Sequence, residues 1–451
     1  MTVIRRSYVV LVLLCLVSFL AVLSCGQSKS SPTPTTTTSA VDPVRTETPL
    51  TPFSILTESP LPSPPNVGDK TTDPNFPGAT ILRLTDSTIG GAVADMGINN
   101  TEVQVQYSYW PVFNKDSTRV HVVGSYPFSR SVFFTFDPAK MEVLTHRVLK
   151  KQLPRLSGGL LERSDMIWSG ENPAVIYGHD SGTQLWEYNV ANDQYVLIKD
   201  FLNNGVLPGE GINQMSRSLD DQVFAISLTD ATGVIGYLVW RRPDPPNPEQ
   251  ILRVLVSNLD EVQVDKSGQF LFVGYNTGDV DIVTFATPNR VEQLTGPDGF
   301  FHHDSGHGTI FSGGFNLDFR YRQLAIPTSP TNPKSLIPGF RSIGTQQEHI
   351  SMLADNERWA LVSRFSTTDP PGGNGLFDDE IIQVATDGSN RVRRLAHHRS
   401  IMEFPDEDNT PKANISRDGR FVAFTSNWGV ALANGGRRDV YIVSIPPAPT
   451  N

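Results

Sequence analysis

From about residue 78 the chain alternates short apolar runs with polar turns. At 413–427 it reads ANISRDGRFVAFTSN: a strand, the turn Arg417-Asp418-Gly419-Arg420, then a second strand apolar at nearly every position. The same frame occurs as PVFNKDSTRVHVVGS at 111–125, MSRSLDDQVFAISL at 215–228 and VQVDKSGQFLFVGY at 262–275. Looser copies are IWSGENPAVIYGHD at 167–180 and ISMLADNERWALVSRF at 350–365. The turn residues supply local hydrogen bonds and tolerate unusual φ. A second strand this apolar is expected to be covered on both faces.

A third apolar segment follows most copies (SVFFTFDP, TQLWEYNV, GYLVWRR, VDIVTFAT, EIIQVATDG, DVYIVSIP), and sometimes a fourth (RVEQLTG, RVRRLAHH). Turn centres fall near 116, 171, 220, 267, 318, 355 and 418. Units of three or four strands at a period of roughly 50 residues predict the blades of a β-propeller. The last unit stops after three strands, whereas ATILRLTDS at 79–87 stands alone as an orphan fourth strand. Pairing the two closes the ring and removes an exposed sheet edge. The expected fold is all-β: a propeller over 78–447, of seven blades of four antiparallel strands (six or eight also fit the spacing), closed by an N-terminal strand joining the last blade.

The frame of Ser416, Asp418, Gly419, Arg420, Phe424 and Ser426 resembles the repeat of TolB-type, WD40-like propellers. That resemblance implies a fold and not an activity, because such propellers host unrelated functions. TolB itself carries an α/β domain ahead of its propeller, where this chain has only low-complexity sequence.

The first 24 residues are basic (Arg5, Arg6) and then apolar from Tyr8 to Leu23, the plan of a signal peptide. They end in Val22-Leu23-Ser24-Cys25-Gly26, which resembles a bacterial lipobox. The expectation is a lipoprotein acylated at Cys25, held in the cell envelope. The other cysteine, Cys15, lies within the leader, so the exported domain is expected to have no internal disulfide. Residues 25–77 are rich in Ser, Thr and Pro and poor in large apolar groups, which predicts a disordered tether.

Charge narrows the partners. A formal net charge of −10 argues against nucleic acid, which needs a basic surface. The expected partner is a protein or a glycan at the channel rim of a monomeric propeller, with the membrane reached through the lipid. The aromatic group Tyr107, Tyr109, Trp110 and Phe113 suits sugar stacking or, more commonly, packing between blades.

Histidine placement suggests chemistry. Of nine His, six lie between 302 and 398. This grouping is similar to oligogalacturonate lyases, propellers in which histidines and a glutamine hold a metal on an acidic sugar. The resemblance implies a divalent ion such as Mn, Zn or Ni, with His307 and His349 as first ligand candidates and His303, His398 and either Gln346 or Gln347 as further ones. Arg399 would clamp the uronate carboxylate during β-elimination. Where that family places His before the last S-x-D-G frame, this chain reads Thr410-Pro411-Lys412-Ala413-Asn414. The acidic loops 376–380 and 405–409 lack the spacing of an EF-hand, and no GxSxG occurs, which removes the usual serine-hydrolase elbow.

Overall fold

The fold was analysed in a computed structural model that describes residues 45–47, 63–86, 102–124, 131–148, 166–179, 181–285, 290–294, 300–314, 319–324, 334–337, 346–366, 376–402, 409–430, 434 and 436–446. The leader and Cys25 lie outside these residues.

Seven antiparallel sheets follow one another along the chain. Blade 1 holds β4 (Val103–Gln104), β5 (Arg119–Gly124), β6 (Ser131–Asp137) and β7 (Glu142–Val148); blade 2 holds β8 (Ile167–Trp168), β9 (Val175–His179), β10 (Gln184–Asn189) and β11 (Gln194–Asp200). Blade 3 holds β12 (Gly211–Arg217), β13 (Val223–Asp230), β14 (Gly233–Arg241) and β15 (Gln250–Leu255); blade 4 holds β16 (Leu259–Val264), β17 (Phe270–Tyr275), β18 (Val280–Thr284) and β19 (Arg290–Leu294). Blade 5 holds β20 (Phe300–Ser305), β21 (Thr309–Gly314), β22 (Phe319–Gln323) and β23 (Lys334–Leu336). Blade 6 holds β24 (Gln346–Ser351), β25 (Trp359–Ser366), β26 (Glu380–Ala385) and β27 (Val392–His397), with β1 (Arg45–Glu47) as a fifth strand on β27. Blade 7 holds β28 (Asn414–Ile415), β29 (Phe421–Ser426) and β30 (Asp439–Ser444), completed by β3 (Phe76–Arg83) and β2 (Lys70–Asp73). No helix among the described residues is long and apolar enough to cross a membrane.

The second strands are buried throughout in β9 and β29, as their unbroken apolar sequence predicts. Each seam between blades holds its own apolar cluster, seven in all among the described residues. Hydrophobic burial at seven seams therefore holds the ring, in place of disulfides.

The frame has a common hydrogen-bond geometry. In the last blade the Ser416 hydroxyl donates to Asp418 (2.7 Å) and accepts from the Phe421 amide (3.0 Å). Ser218 does the same with Asp220 (2.5 Å) and the Val223 amide (2.9 Å). In blade 4, Asp265 takes the serine's place and accepts the Phe270 amide at 2.9 Å. In blade 5 the inner turn lies at Gly306–Gly308, between β20 and β21, and not near 318. The sequence there, HHDSGHG, lacks the Ser-x-Asp spacing of the blade 3 and blade 7 turns, so the frame is masked.

Two further corrections concern the N-terminal side. β1 and β2 lie inside residues 25–77, the segment read as tether, so the propeller takes up residues ahead of 78. Their sequences, RTE and KTTD, are polar because an outermost strand adds through backbone hydrogen bonds and needs little burial. β3 is the closing strand expected from the sequence, with Ile81 opposite Val443 and Leu82 opposite Ile442.

Asp73, at the end of β2, locks this closure to blade 6. Its carboxylate accepts from the His397 amide (3.0 Å) and from the Arg399 guanidinium (3.1 Å), and lies 3.1 Å from His397 Nδ1. Burial alone would raise its pKa; the hydrogen bonds and charges of His397 and Arg399 outweigh burial and hold it lowered. Asp73→Ala removes one partner of a buried charged network, which costs about 3–5 kcal/mol. The midpoint of urea unfolding should fall accordingly; an unchanged midpoint would show that the lock carries no stability.

Candidate functional site

The inner turns and strands of all seven blades line one axial cavity that opens to solvent. Blade 1 contributes Tyr109 and Trp110, blade 2 Trp168 and Ser169, blade 3 Ser216 and Arg217, and blade 4 Gln263 and Lys266. Asp304 comes from blade 5, Leu353 from blade 6 and Arg417 from blade 7. Backbone links lace the turns together: Leu219 donates to the Lys266 carbonyl (2.9 Å), Lys266 to Gly306 (3.0 Å) and Asp355 to Arg417 (2.7 Å). Glycine is required where turns touch. A Cβ on Gly170 would lie 1.9 Å from the Leu219 carbonyl oxygen, and one on Gly306 would lie 2.1 Å from the Glu357 carboxylate.

At this turn end the cations are paired. Lys115 meets Glu171 at 3.2 Å, Arg217 meets Asp221 at 3.2 Å, Lys266 meets Glu357 at 3.1 Å and Arg417 meets Asp355 at 3.0 Å. Glu357 also accepts the His307 amide and lies 2.8 Å from its Nδ1. His307 is thus an exposed turn residue tied to a carboxylate.

Further along the inner strands imidazoles and aromatic rings meet. His302 and His349 stack at 4.9 Å with their planes 19° apart, and Tyr107 stands edge-on to His349 at 5.0 Å. His302 Nδ1 meets the Glu348 carbonyl. Tyr109 packs on Tyr107 at 4.8 Å and hydrogen-bonds Glu261. Burial pushes the Glu261 carboxyl up to about 8, with the charge of Asp260 adding to it. His303 Nδ1 lies 3.4 Å from Glu261, close enough for an ion pair. Burial, however, takes His303 down to about 3, so the two meet as neutral acid and neutral imidazole. His349 is lowered well below the usual histidine range by burial and then by the charges of His302, Lys412 and His398. Burial also pushes Asp304 up to about 7, against the amides of Met352 (2.5 Å) and Ser305 (2.7 Å) that hydrogen-bond it.

The metal set implied by the lyase resemblance does not converge. His349 is level with His302 within the inner strands, whereas His307 is beyond the end of β20, at the turn. His302 and His349 meet face to face, which does not aim their nitrogens at one ion. His398 is buried and both its ring nitrogens are engaged, with the Arg364 carbonyl (2.5 Å) and the Ser400 amide (3.0 Å). Gln347 is exposed on β24, and nothing is described of the Gln346 side chain. Among the described residues no group of three His, Cys, Asp or Glu could hold a metal ion. Arg399 is buried in the seam of blades 6 and 7, bonded to Asp73 and lying over Trp428 at 5.5 Å. A carboxylate clamp would have to stand in the channel.

The aromatic group divides. Phe113 is in the seam core and the Trp110 indole donates to the Met215 carbonyl (2.9 Å), so both are packing residues, although their edges reach the cavity wall. Tyr107 and Tyr109 are half-buried beside the imidazoles. The sequence pointed to the histidines but not to Glu261 and Asp304; their single signal was a carboxylate in an inner strand.

No protein-family model matches the chain, and no curated protein does. Solved structures share the fold. An oligogalacturonate lyase in complex with manganese superposes with a TM-score of 0.55 at 12% identity, covering 84% of this chain and 96% of that one. An oligogalacturonate lyase from Vibrio parahaemolyticus gives 0.54 at 10% identity, with 84% and 99% covered. A β-propeller domain from Myceliophteria thermophila gives 0.43 at 12% identity, with 77% and 99% covered. Identities this low speak for the propeller fold.

The raised carboxyls set a pH dependence. Unfolded, both would titrate near 4. Folded, they hold protons to about 7 and about 8. The native state therefore binds more protons between these limits, and stability falls as pH rises from about 4 to about 8. Thermal unfolding of the unmutated protein and of Glu261→Gln should show this: the slope flattens in the variant, and equal slopes would refute a neutral Glu261.

Proposed function

We propose that the chain is a lipid-anchored binding protein of the bacterial cell envelope whose propeller holds a glycan in its axial channel. One observation supports the channel as the site: a cavity lined from every blade, in which aromatic edges stand beside serine and glutamine side chains and beside cations each paired with a carboxylate. That mixture suits a ligand with apolar faces and many hydroxyls. Between protein and glycan as partners, it favours the glycan, because the opening is a concave chamber and not a flat apolar patch. The anchor follows from the leader and from Cys25 within Leu23-Ser24-Cys25-Gly26.

An enzyme acting on uronates would need a metal or a cation free to take the carboxylate. The fold likeness to lyases adds neither, and the histidines named for the metal do not converge. Binding without chemistry accounts for the channel with fewer groups.

Two experiments test this reading. Titration of the propeller with soluble oligosaccharides should give saturable binding that weakens about tenfold or more in Tyr109→Ala, the loss of one aromatic contact. Unchanged affinity in that variant would move the site away from the channel. Radiolabelled palmitate supplied to the expressing cell should enter the unmutated protein and not Cys25→Ala; label in both would refute the anchor.

A further inference from the structure

The channel balances its own charges, and this bears on what it can hold. Its four cations each face a carboxylate at 3.2 Å or less. All four are also committed to backbone carbonyls, Lys115 to that of Glu171 at 3.2 Å. Arg417 donates to Gly170 (2.5 Å), Arg217 to Trp168 (2.7 Å) and Lys266 to Ala354 (2.6 Å). The remaining wall offers hydroxyls and amides, among them Ser169, Ser216, Gln263 and Ser305. Beyond them come Tyr109, Glu261 and the stacked imidazoles. The charged groups acting on that end include Lys412, beside His349, and Asp260 and Asp304, beside Glu261.

We propose that the channel selects an uncharged, hydroxyl-rich ligand, a neutral sugar, over the corresponding uronate. This rests on the reading of the channel as a glycan site. A carboxylate entering the cavity loses its hydration and must find a cation. Among the four cations of the cavity wall it can do so only by taking one from its partner. Taking Arg417 would strand Asp355, and taking Lys266 would strand the Glu357 carboxylate that also holds His307 and Thr309. One partly buried charge would then be exchanged for another with no gain. A neutral ring meets no such exchange. Its hydroxyls can accept from serine, glutamine and the acid form of Glu261, and donate to imidazole and carbonyl acceptors. Its apolar face can lie on Tyr107 or Tyr109.

The test is calorimetry at pH 7 with cellotetraose, mannotetraose and galactotetraose against tetragalacturonate and tetraglucuronate. At least one neutral probe should bind about tenfold or more tighter than either uronate. Asp355→Asn, at a half-exposed position, leaves Arg417 without its carboxylate. It should raise uronate affinity several-fold relative to the neutral probe, with circular dichroism reporting the fold. Uronates binding as tightly as the neutral sugars in the unmutated protein would overturn the selectivity and leave the glycan site standing. An unchanged ratio in Asp355→Asn would overturn the charge argument. No binding by any probe would overturn the glycan reading and the inference together.

Discussion

Closure is the constraint on which the rest depends. A ring of blades is stable only if its first and last members are joined, because an unjoined ring leaves an open seam and a sheet edge. The chain solves this by crossing its ends: β3 pairs with β30 through four register pairs from Thr80–Ser444 to Arg83–Tyr441. The strand then feeds two seams. Ala79 and Ile81 pack with blade 6, while Leu82 and Leu84 pack with blade 1. The Asp439 carboxylate receives Arg83 at 2.7 Å and Thr85 at 3.1 Å, and the Thr85 hydroxyl in turn accepts the Val440 amide at 2.9 Å. With the circle fixed, seven inner turns are brought to one axis, and the cavity exists because of that convergence.

The closing strand also explains an outer strand that is not solvated. β27 reads VRRLAH and is buried along its length, unlike β11 and β15, the half-exposed outer strands of blades 2 and 3. The β3 hairpin and β1 cover it. Its arginines are therefore committed inside the protein. Arg394 pairs with Glu380, and Arg393 donates to Gln383 at 2.6 Å and to the Pro446 carbonyl at 2.7 Å. His397 and Arg399 continue the same covered segment. Basic and imidazole groups that read as channel chemistry are thus parts of the joint between blades 6 and 7.

The fold was largely legible because its signals are local. The serine-to-amide and serine-to-aspartate bonds of the blade 3 and blade 7 turns need only the residues of those turns, so their pattern recurs in the sequence at 218–223 and 416–421. The seven-blade count and the closing strand follow from that recurrence. The polar strands β1 and β2 were not legible, since edge addition uses backbone groups that every sequence has. The site was legible in part. His349 and His303 are near the axis, as their position before or within inner strands implied. Whether His397 and Arg399 turn inward depends on Asp73, which is more than three hundred residues away. No local pattern encodes such a pairing.

Blade 5 shows how the channel and the ring trade against one another. Its seam with blade 4 holds five buried apolar residues among those described, Phe270, Phe272, Val280, Ile282 and Ile310, fewer than any other seam. Its inner strand spends positions 302 to 304 on His, His and Asp. Polar links stand in for the missing apolar contacts: Glu261 with His303 toward blade 4, Asp304 with the Met352 amide toward blade 6, and Lys266 reaching past blade 5 to Glu357. Such links hold only while their protonation states are kept. Apolar packing, by contrast, asks for no partner and no pH. Blade 5 thus keeps its place in the ring by polar pairing where the other seams rely more on apolar packing.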